Sequence, residues 1–205
     1  MPKRVAFFAG KEAVENYFNI QSNREQIFEP HFNLTQGQHI PVVYNENDHL
    51  NLDRIRWGDE KNKESIIPEE EVQKLSLSKD WERCAIPLSG FYVWKDDKEE
   101  GNPFFVRMLD GPLMVAAGMM NKKDDYFLII TTEANVLVKP MSETMPLLLD
   151  RELSLQWLQA ENSIREMIEK AKKRFLLTDL SVMRVSEDVN DPSNNSEELV
   201  QPIPK

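Results

Sequence analysis

The chain of 205 residues has little cysteine and no long hydrophobic run. Its one cysteine, Cys84, excludes an internal disulfide and any zinc site built from several cysteines. No apolar run approaches the ~18 residues that a membrane-spanning helix needs, and the first residues lack the apolar core of a signal peptide. We therefore expect a soluble, cytoplasmic protein.

Basic residues are also scarce. The chain has 25 lysines and arginines against 35 aspartates and glutamates, which gives a net charge of −10. Proteins that coat duplex DNA gain affinity by neutralising phosphates with basic side chains, so this balance argues against that class. The negative net charge is still compatible with a local basic groove. It is also compatible with an acidic surface that only keeps the protein soluble.

Most of the usual signatures of an active site are missing. The sequence has no glycine-rich phosphate loop, no paired-histidine metal motif and no nucleophile elbow. The histidines, His31, His39 and His49, stand apart in or beside loops, so we predict neither a metal site nor a cofactor. Cys84 lies within an apolar run, where a buried small side chain is a better interpretation than a reactive thiolate.

The sequence instead contains many short apolar segments separated by polar turns. We predict strands at 4–8, 40–44, 50–57, 84–94, 104–109, 113–119, 126–132, 146–149 and 181–186. We predict helices at 11–18, 151–160 and 163–174 and a short one from Pro68, whereas 28–38 is predicted as loop. Asp110-Gly111 predicts a hairpin. This pattern favours an α+β, barrel-like fold in a single domain over 1–205, with a polar C-terminal tail at 189–205.

One segment resembles a known family. Residues 83–94, RCAIPLSGFYVW, are similar to the core strand of the SOS-response-associated peptidase (SRAP) family, approximately R-C-x-x-P-x-x-G-[FWY]-Y-E-W. Further similar segments follow the family's order at 56–58 (RWG), 103–106 (PFFV), 113–118 (LMVAAG), 127–131 (FLIIT), 146–149 (PLLL) and 198–202 (ELVQP). The resemblance implies a β-rich, barrel-like α+β domain with a positively charged groove for single-stranded DNA.

The resemblance also implies a reaction whose functional residues are replaced in this chain. Members of the family join an N-terminal cysteine to the aldehyde of an abasic site as a thiazolidine, while an asparagine orients the reacting groups and a glutamate and a histidine move protons. Here Pro2 stands in place of the cysteine, Val93 in place of the glutamate and Ser142 in place of the histidine. The interval that holds the asparagine is shortened, and Asn62 is the candidate for that position. We expect no thiazolidine crosslink.

Three residues are predicted to bind DNA on the strength of the resemblance. Arg4 keeps the family's arginine two residues beyond the nucleophile, where it would face a phosphate. Trp57 would offer a stacking face to a base, and Thr131 keeps a polar side chain at a strand end. Two of them have an alternative structural interpretation, Arg4 as an ion-pair partner and Trp57 as part of the core.

Three classes of function remain open. The leading one is a catalytically lapsed member that binds single-stranded DNA or another polyanion. The second is an active abasic-DNA processing enzyme, in which the secondary amine of Pro2 attacks an aldehyde and forms an iminium. The third is an acidic protein-interaction module with a basic partner.

Overall fold

A computed structural model describes residues 3–21, 28–95, 101–111, 113–159, 161–174 and 179–203. Within them lie thirteen strands: β1 Arg4–Phe7, β2 His31–Thr35, β3 His39–Glu46, β4 His49–Trp57, β5 Ile66–Pro68, β6 Trp81–Leu88, β7 Gly90–Trp94, β8 Pro103–Met108, β9 Met114–Asn121, β10 Tyr126–Glu133, β11 Thr144–Pro146, β12 Leu148–Leu149 and β13 Leu180–Arg184. The helices are α1 Lys11–Phe18, α2 Glu69–Leu75, α3 Arg151–Trp157 and α4 Ile164–Arg174. Two 3₁₀ turns, Glu187–Asn190 and Glu197–Val200, follow β13. The predicted α+β, barrel-like fold is confirmed.

Part of the larger sheet closes on itself. Strands β10, β4, β3, β6 and β9 are paired in that order, and β9 pairs with β10 again to complete a ring. Strands β11 and β5 extend β10, and β12 extends β9. Closure removes the exposed strand edges that invite aggregation, and it places the apolar side chains of all five strands around one interior.

A second sheet of five strands has the order β13-β8-β7-β1-β2. Strand β1, the first of them along the chain, is hydrogen-bonded between β2 and β7, and both pairings are antiparallel. One face of this sheet, which includes Val5 and Phe91, belongs to the same apolar cluster as the barrel strands. The start of the chain is therefore fixed in the middle of a sheet.

Ser89 and Gly90 divide the predicted strand at 84–94 between the two sheets. Strand β6 pairs with β3 and β9 in the barrel, whereas β7 pairs with β1 and β8 in the second sheet. A Cβ atom at Gly90 would lie 2.2 Å from Cζ of Phe105, so the crossing requires glycine. The prediction of one continuous strand was wrong because an apolar run does not show where the chain changes sheet.

The predicted hairpin at Asp110-Gly111 was also wrong. Strand β8 lies in the five-stranded sheet and β9 in the barrel, so the two strands around this turn do not pair with each other.

The prediction of residues 28–38 as loop was wrong in part, because they contain strand β2. Its sequence, HFNLT, does not have the apolar pattern typical of a strand, but β2 pairs with β1. Hydrogen bonding to a neighbouring strand, rather than local sequence, determines this strand.

Helices α3 and α4 pack against the barrel beside β12. Asp150 caps α3 by accepting a hydrogen bond from the backbone N–H of Leu153, and the indole N–H of Trp157 donates to the carbonyl of Cys84 at 3.0 Å. This second bond anchors the end of α3 directly on β6. No helix in the described ranges has the length and apolar character to span a membrane.

The residues predicted as a polar tail pack in part on the five-stranded sheet. Val189, Leu199 and Val200 are buried against Tyr92 and Trp94 of β7. The hydroxyl of Tyr92 donates to the carbonyl of Phe32 at 2.7 Å, and burial raises the pKa of that hydroxyl well above its usual range. The segment from the first 3₁₀ turn onward thus covers the face of the sheet opposite the barrel.

Candidate functional site

The short strand β5 lies beside two of the residues that the sequence predicts for the site. After β4 the chain turns at Gly58, whose φ is +92°, and returns as β5 beside β10. A Cβ at Gly58 would lie 2.8 Å from the carbonyl oxygen of Glu64, so both its conformation and its surroundings favour glycine there. Strand β5 is parallel to β10, with Ile66 opposite Ile129 and Pro68 opposite Thr131.

Two of the three predicted DNA-binding residues, Trp57 and Thr131, donate hydrogen bonds to the backbone in or next to β5. The ring of Trp57 is fully buried, and its indole N–H donates to the carbonyl of Ser65 at 2.7 Å. Thr131 is 4% exposed, and its hydroxyl donates to the carbonyl of Ile67 at 3.4 Å. The structure therefore brings these two residues to the same strand. It leaves no face of Trp57 exposed on which a base could stack.

Thr131 also lies between two prolines. Pro68 of β5 is its partner on one side, and Pro146 of β11 is its partner on the other. Neither proline has a backbone N–H or a polar side-chain atom to offer to a ligand. Thr131 itself is consequently flanked by two side chains that supply shape but no proton transfer.

Arg4, the third predicted DNA-binding residue, lies in the other sheet. Its side chain is 6% exposed and donates to Oδ1 of Asn33 at 3.2 Å and to the carbonyl of Asn190 at 3.0 Å. The side-chain amide of Asn33 in turn donates to carbonyls of the C-terminal segment at 2.9 to 3.1 Å, those of Val189, Asp191 and Asn194. Arg4 thus helps to attach the C-terminal segment to β1 and β2.

Val93 and Ser142 are buried as well. Val93 is fully enclosed in the shared apolar cluster, opposite Phe104 in the pairing of β7 and β8. Ser142 is 3% exposed and lies just before β11, where its hydroxyl donates to the carbonyl of Thr144 at 2.9 Å. Neither side chain ionises in the physiological pH range, so neither can act there as a general acid or base.

Two lysines next to the end of β10 form salt bridges with glutamates. Lys172 of α4 binds Oε1 of Glu69 at 2.7 Å, and Oε2 of Glu69 accepts a hydrogen bond from the hydroxyl of Thr132 at 3.1 Å. Lys139 pairs with Glu133, whose pKa it lowers through the hydrogen bond and its charge. Both lysines therefore have carboxylate partners within the protein, which weakens the attraction of this surface for phosphate.

Comparison with known proteins identifies the family. The family model described as SOS response associated peptidase (SRAP) matches residues 1–192. The chain belongs to the SRAP family. It is 28% identical to the abasic site processing protein YoqW of Bacillus subtilis, with 97% of this chain and 98% of that protein covered. It is 25% identical to YedK of Escherichia coli, also named an abasic site processing protein, with 96% and 98% covered.

The fold of this SRAP chain also matches solved structures. A protein from Bacteroides thetaiotaomicron superposes with a TM-score of 0.77 at 18% identity, over 98% of this chain and 99% of that one. A phage-related protein from Bordetella bronchiseptica gives a TM-score of 0.66 at 20% identity, over 89% and 93%. At these identities the likeness concerns the fold alone.

Two further positions that the resemblance to the SRAP family singled out are Pro2 and Asn62. Pro2 lies outside the described residues. Asn62 lies in the turn after Gly58, where its amide donates to Oδ2 of Asp59 at 2.6 Å. Between β4 and β6, Pro68 pairs with Thr131 and Glu69 accepts a hydrogen bond from Thr132 near the end of β10. From the sequence, Pro68 was predicted only as a helix start, although Ile66-Ile67-Pro68 stands out as the apolar part of that polar interval.

Proposed function

We propose that this SRAP-family chain acts at damaged DNA by non-covalent binding, without forming the covalent bond to an abasic site. The observation that carries the proposal is the burial of Val93 and Ser142, which occupy the family's two proton-handling positions with non-ionisable side chains. A buried valine and a serine hydroxyl engaged by the backbone supply no general acid or base. Such assistance typically contributes about 10²–10⁴-fold to a rate.

Pro68 adds to the proposal. We infer that it takes the place of the orienting asparagine, because it is the residue of β5 that pairs with Thr131. An asparagine side chain offers a donor and an acceptor to reacting groups, whereas a proline ring offers neither. With Pro2 in place of cysteine, all four functional positions implied by the resemblance then lack their chemistry.

The DNA part of the proposal comes from the relatives, which are named abasic site processing proteins. The ligand we propose is single-stranded DNA, abasic or intact, or a similar polyanion. Arg4, Trp57 and Thr131 remain predictions as contact residues, and their burial makes an indirect role, shaping the groove, the better supported one. We therefore expect weak binding that falls as salt rises.

One set of samples tests both parts of the proposal, the binding of DNA and the absence of a covalent bond to it. Fluorescently labelled single-stranded DNA, with and without an abasic site, is titrated with the protein at several salt concentrations, and the same samples are run on a denaturing gel. The proposal expects an anisotropy change that weakens with salt and no DNA that migrates with protein on the gel. A denaturation-resistant complex would overturn the loss of covalent chemistry. Absence of any anisotropy change at low salt would overturn DNA binding.

A further inference from the structure

We draw no further inference here: the strongest candidate, the largely apolar cavity of about 300 Å³ between α4 and the connection from β10 to β11, carries none, because its two lysines, Lys139 and Lys172, already pair with glutamates and nothing in the described part of the structure shows what covers its apolar lining.

Discussion

The guanidinium of Arg4 in the first strand donates a 3.0 Å hydrogen bond to the carbonyl of Asn190, 186 residues later in the chain. Asn33 completes the connection, since it accepts from Arg4 and donates to the same C-terminal segment. Arg4 was predicted from the sequence to bind a phosphate. In the structure it instead links the first strand to the C-terminal segment of the described chain.

Replacing Arg4 should therefore cost stability. Arg4→Met leaves Oδ1 of Asn33 and the carbonyl of Asn190 with one donor fewer in a buried setting, and losing such bonds costs about 1–3 kcal/mol. Urea unfolding, followed by circular dichroism, measures the change. Lys3→Met is the control, because Lys3 is exposed and the substitution removes the same charge. If Arg4→Met leaves stability unchanged but abolishes DNA binding, the residue contacts phosphate after all.

Trp57 should behave as a core residue that supports β5. Trp57→Phe removes the indole N–H that binds the Ser65 carbonyl and leaves a small cavity, so we expect a loss of about 1–3 kcal/mol in the free energy of unfolding. Thr131→Val removes only a 3.4 Å hydrogen bond in a similar shape, and its cost should be smaller. Urea midpoints of the two variants give this comparison. A larger loss for Thr131→Val would contradict the assigned contacts.

The buried thiol of Cys84 should make the protein less stable in alkali. Burial, reinforced by the charge of Glu82, raises the pKa of this thiol well above its usual value. Above about pH 8.5 the unfolded chain loses a proton that the folded chain keeps, so deprotonation favours unfolding. Between pH 9 and 10, Cys84→Ala should remove a slope of about 1.4 kcal/mol per pH unit from the unfolding free energy. Identical slopes for both proteins in urea titrations would show that the thiol is accessible.

Restoring the nucleophile alone should restore the crosslink only slowly. An N-terminal cysteine reacts with aldehydes by itself, so Pro2→Cys should form a thiazolidine with abasic single-stranded DNA. Without an acid or base at positions 93 and 142, the rate should fall about 10²–10⁴-fold below that of an SRAP protein that has the cysteine, glutamate and histidine at the corresponding positions. The rate is measured by denaturing gel at matched concentrations. Equal rates for the two proteins would show that proton transfer has been taken over by other residues.

Much of the fold could be predicted from sequence because apolar segments between turns define strands locally. The helices at 11–18, 151–157 and 164–174 have clear apolar faces or caps, and the core strands are rich in β-branched residues. The change of sheet at Gly90 and the pairing of polar β2 depend on distant partners. Such pairings are set by tertiary contacts, which local patterns do not contain.

The candidate site was harder to predict. The family resemblance identified Val93 and Ser142 as changed positions, but it did not show that Arg4, Trp57 and Thr131 are buried. Burial of an arginine follows from Asn33 and the C-terminal segment, which lie far away in sequence. Pro68 likewise becomes relevant only through its register with Thr131.

The most direct test of the central claim is a trapping experiment with abasic single-stranded DNA. The protein is incubated with labelled DNA, with and without borohydride, and the products are separated on a denaturing gel beside Pro2→Cys as a positive control. We predict free DNA in both lanes of the natural chain and a shifted band for the control. A shifted band for the natural chain only after borohydride would show imine or iminium chemistry by an amine of the protein, and one without borohydride would show a stable covalent adduct. Either result would contradict the loss of covalent capture.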